Sequence, residues 1–298
     1  MVRLLFMLSI LFVIPLTGLF SSSDAETFRD SLNREITLDR PPARIVSLAP
    51  SLTEILFYLG LGDQVAGVTK FSYYPPEAMQ KPKVGSYIDL NVEKIISLSP
   101  DIVISTVDGN QPGVIELLEQ AGIPVFVVNP RNVLKVIETV VDIGRLCGIP
   151  EKGDLLSREL KHRVERVQAK IQNREKPLVF LQINLRPIMT VNKNTFHQDL
   201  IHLAGGRNMA RDEPITYPRI SIEEVIRKKP DVIIISSMER GGGFEKMKQE
   251  WLKWPSIPAV KNNRVYLIDS DLIDRPSPRI VDGLEAMARI IHPEAGWK

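Results

Sequence analysis

The chain has 298 residues, 44% of them hydrophobic and 25% charged, with 18 Gly and 22 Pro; these are the proportions of a folded protein and exclude a disordered, collagenous or multi-span membrane chain. Its 38 basic and 36 acidic residues leave a net charge of +2 without a block of consecutive Lys/Arg, so there is no electrostatic footprint for nucleic acid and that partner class is set aside. The length exceeds what a single core usually fills and predicts two lobes.

Arg3 is the only charge before Asp24, and residues 4–20 are almost continuously apolar. This predicts a secretory signal over residues 1–25, with Ser21, Ser22, Ser23 and Ala25 offering the cleavage site. No cysteine follows the run to accept a lipid, so the expected product is a free periplasmic protein. The other reading is an uncleaved anchor, since about 17 apolar residues just span a bilayer.

Residues 28–38 have the look of a hairpin, and Pro41-Pro42 opens the folded body. Residues 45–48 read as a short strand ended by Pro50. Ser51-Leu52-Thr53-Glu54 fits a capping box, Ser51 the cap and Glu54 reaching back, for a helix stopped by Gly60. Residues 102–104, 125–128, 179–183, 232–235 and 265–268 are short, β-branched and apolar at consecutive positions, as strands buried on both faces are. With helical segments between them, the fold class is α/β with mainly parallel sheets.

The stretch NVEKIISLSPDIVI at residues 91–104 recurs without a gap as SIEEVIRKKPDVII at residues 221–234. Each copy reads as a cap residue, a two-turn helix, a Pro-Asp turn and a buried strand, because proline forbids the helix to continue. Glu224 stands three residues after Ser221 and can close a capping box, which leaves Glu223, like Glu93 in the first copy, to point outward. A looser echo relates residues 54–60 to 198–204, so the halves share one plan. Between them residues 132–176 lack a strand signal. One helix ends at Gly148, and another starts at Pro150 with Leu155, Leu156, Leu160, Val164, Val167 and Ile171 at helical spacing. The division is therefore a signal 1–25, an N-terminal α/β lobe 26–149, a linker helix 150–176 and a C-terminal α/β lobe 177–298. A helical rod of roughly 35 Å predicts little relative motion of the lobes.

Catalytic patterns are missing: there is no Gly-x-x-x-x-Gly-Lys, Gly-x-Ser-x-Gly, His-Glu-x-x-His or paired-cysteine motif. His162, His197, His202 and His292 are scattered; His197 and His202, five apart on one predicted helix, are poorly spaced for joint ligation and read as helix-face or surface residues, and no metal site is expected. Cys147 is the single cysteine, which excludes an intramolecular disulfide and suits a buried, inert thiol. Gly241-Gly242-Gly243 reads as a flexible loop. Tyr73, Tyr74, Tyr87 and Tyr217, by contrast, fall in Pro/Gly/Ser-rich segments at strand ends, where open α/β sheets build ligand crevices. A tyrosine-lined cleft suits a large ligand with ring systems and hydrogen-bonding edges.

RIVSLAPSLTE from Arg44, YYPPEA from Tyr73, KPKVGSYIDLNVEKIISLSPDIVI from Lys81, the repeat from Ser221 and DRPSPRI from Asp274 resemble the class III periplasmic substrate-binding proteins of ABC importers, which carry cobalamin, haem or ferric siderophores. The Tyr-Pro-Pro and Ser-Pro-Arg-Ile segments are most similar to the cobalamin-binding members. The resemblance implies two α/β lobes joined by one long helix, with a corrinoid held between them as cargo, no resident cofactor and no catalysis. It implies a monomer that meets the membrane permease subunits of its importer. Ligand contacts are implied for Tyr74, for Tyr87 and Tyr217 where those members carry Trp, and for Asp271 and Arg275; Tyr73 joins them from the same loop. Leu272 stands where they carry a further Trp. Glu93 and Glu223 correspond to glutamates that dock onto permease arginines. Two alternatives stay open within the class: haem, with Tyr73 or Tyr74 on the iron, and a ferric siderophore, with Arg186, Arg219 and Arg275 converging on it. A third reading, from another class, is an enzyme on a two-lobed α/β scaffold.

Overall fold

A computed structural model describes residues 25–236 and 243–297. The expected signal, up to residue 24, and Gly241-Gly242 lie outside the described residues. A leading antiparallel hairpin pairs β1 (Glu26–Arg29) with β2 (Glu35–Leu38). The first half comprises β3 (Ile45–Ser47), α1 (Pro50–Tyr58), β4 (Val65–Val68), α2 (Val92–Ser97), β5 (Ile102–Thr106), α3 (Pro112–Gln120), β6 (Val125–Val128) and α4 (Val133–Leu146). After α5 (Pro150–Ile171) come β7 (Leu178–Gln182), α6 (Phe196–Leu203), β8 (Arg207–Asn208), α7 (Ile222–Lys228) and β9 (Val232–Ile235). The chain finishes with α8 (Gly243–Leu252), α9 (Pro258–Lys261), β10 (Val265–Leu267), α10 (Ser270–Ile273) and α11 (Ile280–Ile291).

Each half builds a four-stranded parallel sheet, ordered β4-β3-β5-β6 in the first and β8-β7-β9-β10 in the second. The order is the same in both: second strand, first, third, fourth. The sequence repeat falls on equivalent pieces, α2 with β5 and α7 with β9, each the third strand and the helix that feeds it. Asn91 Oδ1 caps α2 by accepting from Lys94 N at 2.8 Å, and Ser221 Oγ caps α7 by accepting from Glu224 N at 3.2 Å.

The first expected cap is not made. Helix α1 begins at Pro50, and its cap residue Ala49 makes no side-chain bond. Proline supplies the preset φ for the first helical position, where its missing N–H would have no intrahelical partner in any case, and Ala49 before it has no side-chain acceptor. Ser51 therefore lies inside the first turn, and Glu54 is turned across the molecule.

Successive strand residues alternate between two cores. Ile102, Ile104, Phe126 and Val128 join a large cluster shared with Leu56 of α1, Val140 of α4, Leu160 and Val164 of α5, Leu200 of α6 and Met287 of α11. Val103, Val125 and Val127 face a smaller cluster on the opposite side of the first sheet, and Phe180, Ile233 and Ile235 do the same in the second half. The large core runs without a break from one sheet to the other. Helix α5 contributes Leu160, Val164, Val167 and Ile171 to it, whereas Leu155 is 58% exposed and lies off that face. Gly144 and Gly153 let α4 and α5 close on each other: a Cβ on Gly144 would come within 3.0 Å of Gly153 Cα. Among the described residues no helix is long and apolar enough to cross a membrane.

Candidate ligand-binding cleft

Loops at the carboxyl ends of both sheets converge on a cavity of about 310 Å³, lined by Ser51, Tyr87 and Asp108 from the first half and by His197, Tyr217 and Asp274 from the second. Tyr87 is held by a buried side chain beneath it. Asn110 Nδ2 donates to the carbonyls of Tyr87 and Leu48, each at 3.1 Å, and its Oδ1 accepts from Thr106 N at 2.9 Å. One amide thus ties the Tyr87 loop to the ends of β3 and β5. Gly109, at φ +94°, lies under the ring, where a Cβ would come within 1.9 Å of Tyr87 Cε1. Tyr217 is positioned from the other side: Asn192 N donates to Thr216 O and Thr190 N to Pro218 O, both at 3.0 Å. Burial, and after it the negative charge of Asp108, push both phenols above the usual tyrosine range.

The cleft floor is a fixed acceptor. His197, 4% exposed in the first turn of α6, places Nε2 at 2.9 Å from Asp274 Oδ1, and Ser236 Oγ donates to Asp274 Oδ2 at 2.7 Å. The carboxylate stands between hydroxyl and imidazole, so among the described residues His197 does not reach Ser236 as the base that a nucleophilic serine requires. His197 was expected on a helix face; its partner lies 77 positions away, a pairing that local spacing does not reveal.

Behind the floor an ionic network crosses between the halves. Glu54, 3% exposed, accepts from Arg279 Nη2 at 2.8 Å and Nε at 2.9 Å, from Ser277 Oγ at 2.6 Å and from Arg275 Nη1 at 3.4 Å. Arg275 also pairs with Asp271 at 3.1 Å and lies 4.9 Å over the Tyr73 ring. Arg279 sits 3.8 Å over the Tyr74 ring, and Tyr74 lines a separate cavity of about 250 Å³ with Tyr58 and Arg163. The residues expected in one site therefore fall into groups. Tyr87 and Tyr217 share the cleft, Tyr73, Asp271 and Arg275 gather in the network, and Tyr74 lies against Arg279.

Glu93 and Glu223 are exposed in the first turns of α2 and α7. The capping roles in the second copy are exchanged relative to expectation. Glu223, not Glu224, reaches back: hydrogen bonds from its own N–H and from Ser221 hold its carboxyl below the usual range. Glu224 turns to Arg227 at 2.8 Å and Lys228 at 3.5 Å, because both stand one turn further on.

Residues 45–272 match the family model described as periplasmic binding protein. The chain is 34% identical over 275 residues to the uncharacterized ABC transporter substrate-binding lipoprotein YvrC of Bacillus subtilis (strain 168), covering 90% of this chain and 86% of that one. It is 32% identical over 248 residues to the vitamin B12-binding protein of Vibrio parahaemolyticus serotype O3:K6, covering 83% and 88%. Among solved structures, the periplasmic vitamin B12 binding protein BtuF of Vibrio cholerae superposes with a TM-score of 0.77 at 28% identity, over 86% of this chain and 99% of that chain. The periplasmic heme-binding protein RhuT of Roseiflexus sp. RS-1 shares the fold at 0.74 and 26% identity, over 85% and 98%.

Proposed function

Because the chain belongs to the periplasmic binding protein family that serves ABC importers, we propose that its cargo is a corrinoid, cobalamin or a precursor, captured in the cleft without chemistry and delivered to the permease. The observation that carries this reading is the pairing of aromatic walls with an acceptor floor. Tyr87 and Tyr217 face the cleft from opposite halves, and Asp274 presents a carboxylate below them. A corrin is a broad macrocycle fringed with carboxamides, which donate N–H groups to such acceptors. The propionates of haem and the acidic groups of many siderophores would need cations at the same depth. Arg275 and Arg279 lie there already neutralised by Glu54 and Asp271. Iron ligation by tyrosine within the cleft is also disfavoured: Tyr73 and Tyr74 lie against Arg275 and Arg279 and do not line it, and the raised phenols of Tyr87 and Tyr217 resist becoming phenolate.

The protein works outside the cytoplasm as a monomer, and no cysteine stands directly after the apolar leader to take a lipid. Glu93 and Glu223 are its docking groups for the two permease subunits. Titration calorimetry and visible spectra of the purified mature protein with cyanocobalamin, haemin and a ferric siderophore test the reading. Saturable heat and a shifted corrin spectrum are expected with cyanocobalamin alone. A haemin response with none from cyanocobalamin would replace it by the haem reading.

A further inference from the structure

Next to the tyrosine cleft lies a second cavity of about 480 Å³, lined by Arg131 from the first half and by Lys193, Asn194 and Thr216 from the second. The two spaces are lined by adjacent residues. Arg131 follows Pro130 and Thr216 precedes Tyr217, and the Asp108–Arg131 ion pair, 2.9 Å long, stands between them. Asp108 and Arg131 cancel in charge. Lys193 is exposed and, among the described residues, takes part in no ion pair. Its segment is held at the rim: Lys193 N donates to Arg211 O at 3.0 Å and Asn194 N to Asn192 Oδ1 at 2.8 Å. The mouth therefore carries one uncompensated positive charge beside an amide and a hydroxyl that can donate.

We infer that this mouth is an anion subsite that takes the phosphodiester of a corrinoid's nucleotide loop while Tyr87 and Tyr217 hold the ring. The inference rests on the corrinoid reading above. A phosphodiester is a monoanion with two unesterified oxygens, so one ammonium neutralises it while Asn194 and Thr216 supply further donors. The Arg131 guanidinium, already oriented by Asp108, offers N–H groups on its other edge. Cobalamin carries this phosphate and cobinamide does not, so the subsite makes this chain prefer the complete vitamin to its precursor.

The test is a pair of titrations, cyanocobalamin and dicyanocobinamide, with the unmodified protein and with Lys193→Gln and Lys193→Glu. An exposed charge contact is worth a few tenths to about 1 kcal/mol, so Lys193→Gln should weaken cyanocobalamin about three- to fivefold and Lys193→Glu about tenfold, with dicyanocobinamide moving less than about twofold. Raising NaCl from low to high concentration should likewise weaken only the phosphate-bearing ligand. Equal changes for both corrinoids, or none for either, overturn the subsite while leaving the corrinoid cleft in place. Binding of neither corrinoid by the unmodified protein overturns the corrinoid reading, and the subsite with it.

Discussion

Tyr87 owes its position to Asn110, whose amide reaches two strand ends, and to Gly109, whose missing side chain makes room for the ring. Tyr217, 38% exposed, rests on loop hydrogen bonds that do not involve its ring. Its loss should register in binding rather than in folding. Tyr217→Ala is expected to weaken corrinoid binding by about 1 to 3 kcal/mol with an almost unchanged melting temperature. Tyr74→Ala, which removes a ring from beneath Arg279, should cost much less affinity; equal losses in a titration would place both rings on the ligand. A second expectation concerns Cys147, whose thiol burial pushes up to about 12. The reactive species is the thiolate, so at pH 8 the folded protein should not react with a disulfide reagent, and one thiol per chain should appear only in denaturant. Fast labelling of the native protein would contradict the buried placement. Loop tyrosines and a lone cysteine were legible in the sequence because their signal is local. The Asp274 floor and the Glu54 network were not, since they join residues 77 and 221 to 225 positions apart and leave no periodic trace.

At the scale of the elements, the repeat was the most legible feature, because a cap, a short helix, a proline turn and an apolar strand each have their own local chemistry. It marks the third unit of each half and shows both sheets to be wound alike. Strands β4 and β8 left no comparable signal: Gly67 interrupts the first, and the second has only two residues. The capping box at Ser51 failed for a definable reason, since Pro50 already starts α1 and Glu54 finds stronger partners in two arginines. Glu93 and Glu223, in equivalent first turns, remain exposed. Glu93→Ala combined with Glu223→Ala should therefore leave cobalamin binding and stability almost intact while cutting uptake through the cognate importer, because such surface pairs set register and capture rate. Full uptake by the double variant would leave Glu93 with helix-dipole stabilisation, a few tenths of a kcal/mol to about 1, and Glu223 with that and its local bond to Ser221.

For the whole molecule, the linker helix is part of the core instead of a tether. Leu160, Val164 and Val167 of α5 pack in the same cluster as strands from both sheets, and Glu54 bolts α1 to the residues that lead into α11. Hinge motion would have to open that cluster and strip a carboxylate of its partners, which costs several kcal/mol. Scattering profiles with and without cobalamin should superimpose closely, and a marked fall in radius of gyration on binding would show a hinge. The shared core has a consequence for how the protein comes apart. Two lobes with separate cores would melt independently, but here neither sheet can lose its helices without exposing the apolar face of the other. Differential scanning calorimetry should record a single endotherm whose calorimetric and van't Hoff enthalpies agree. A chain cut after residue 149 should correspondingly yield a fragment that aggregates, for half of a cooperative unit has no native state of its own.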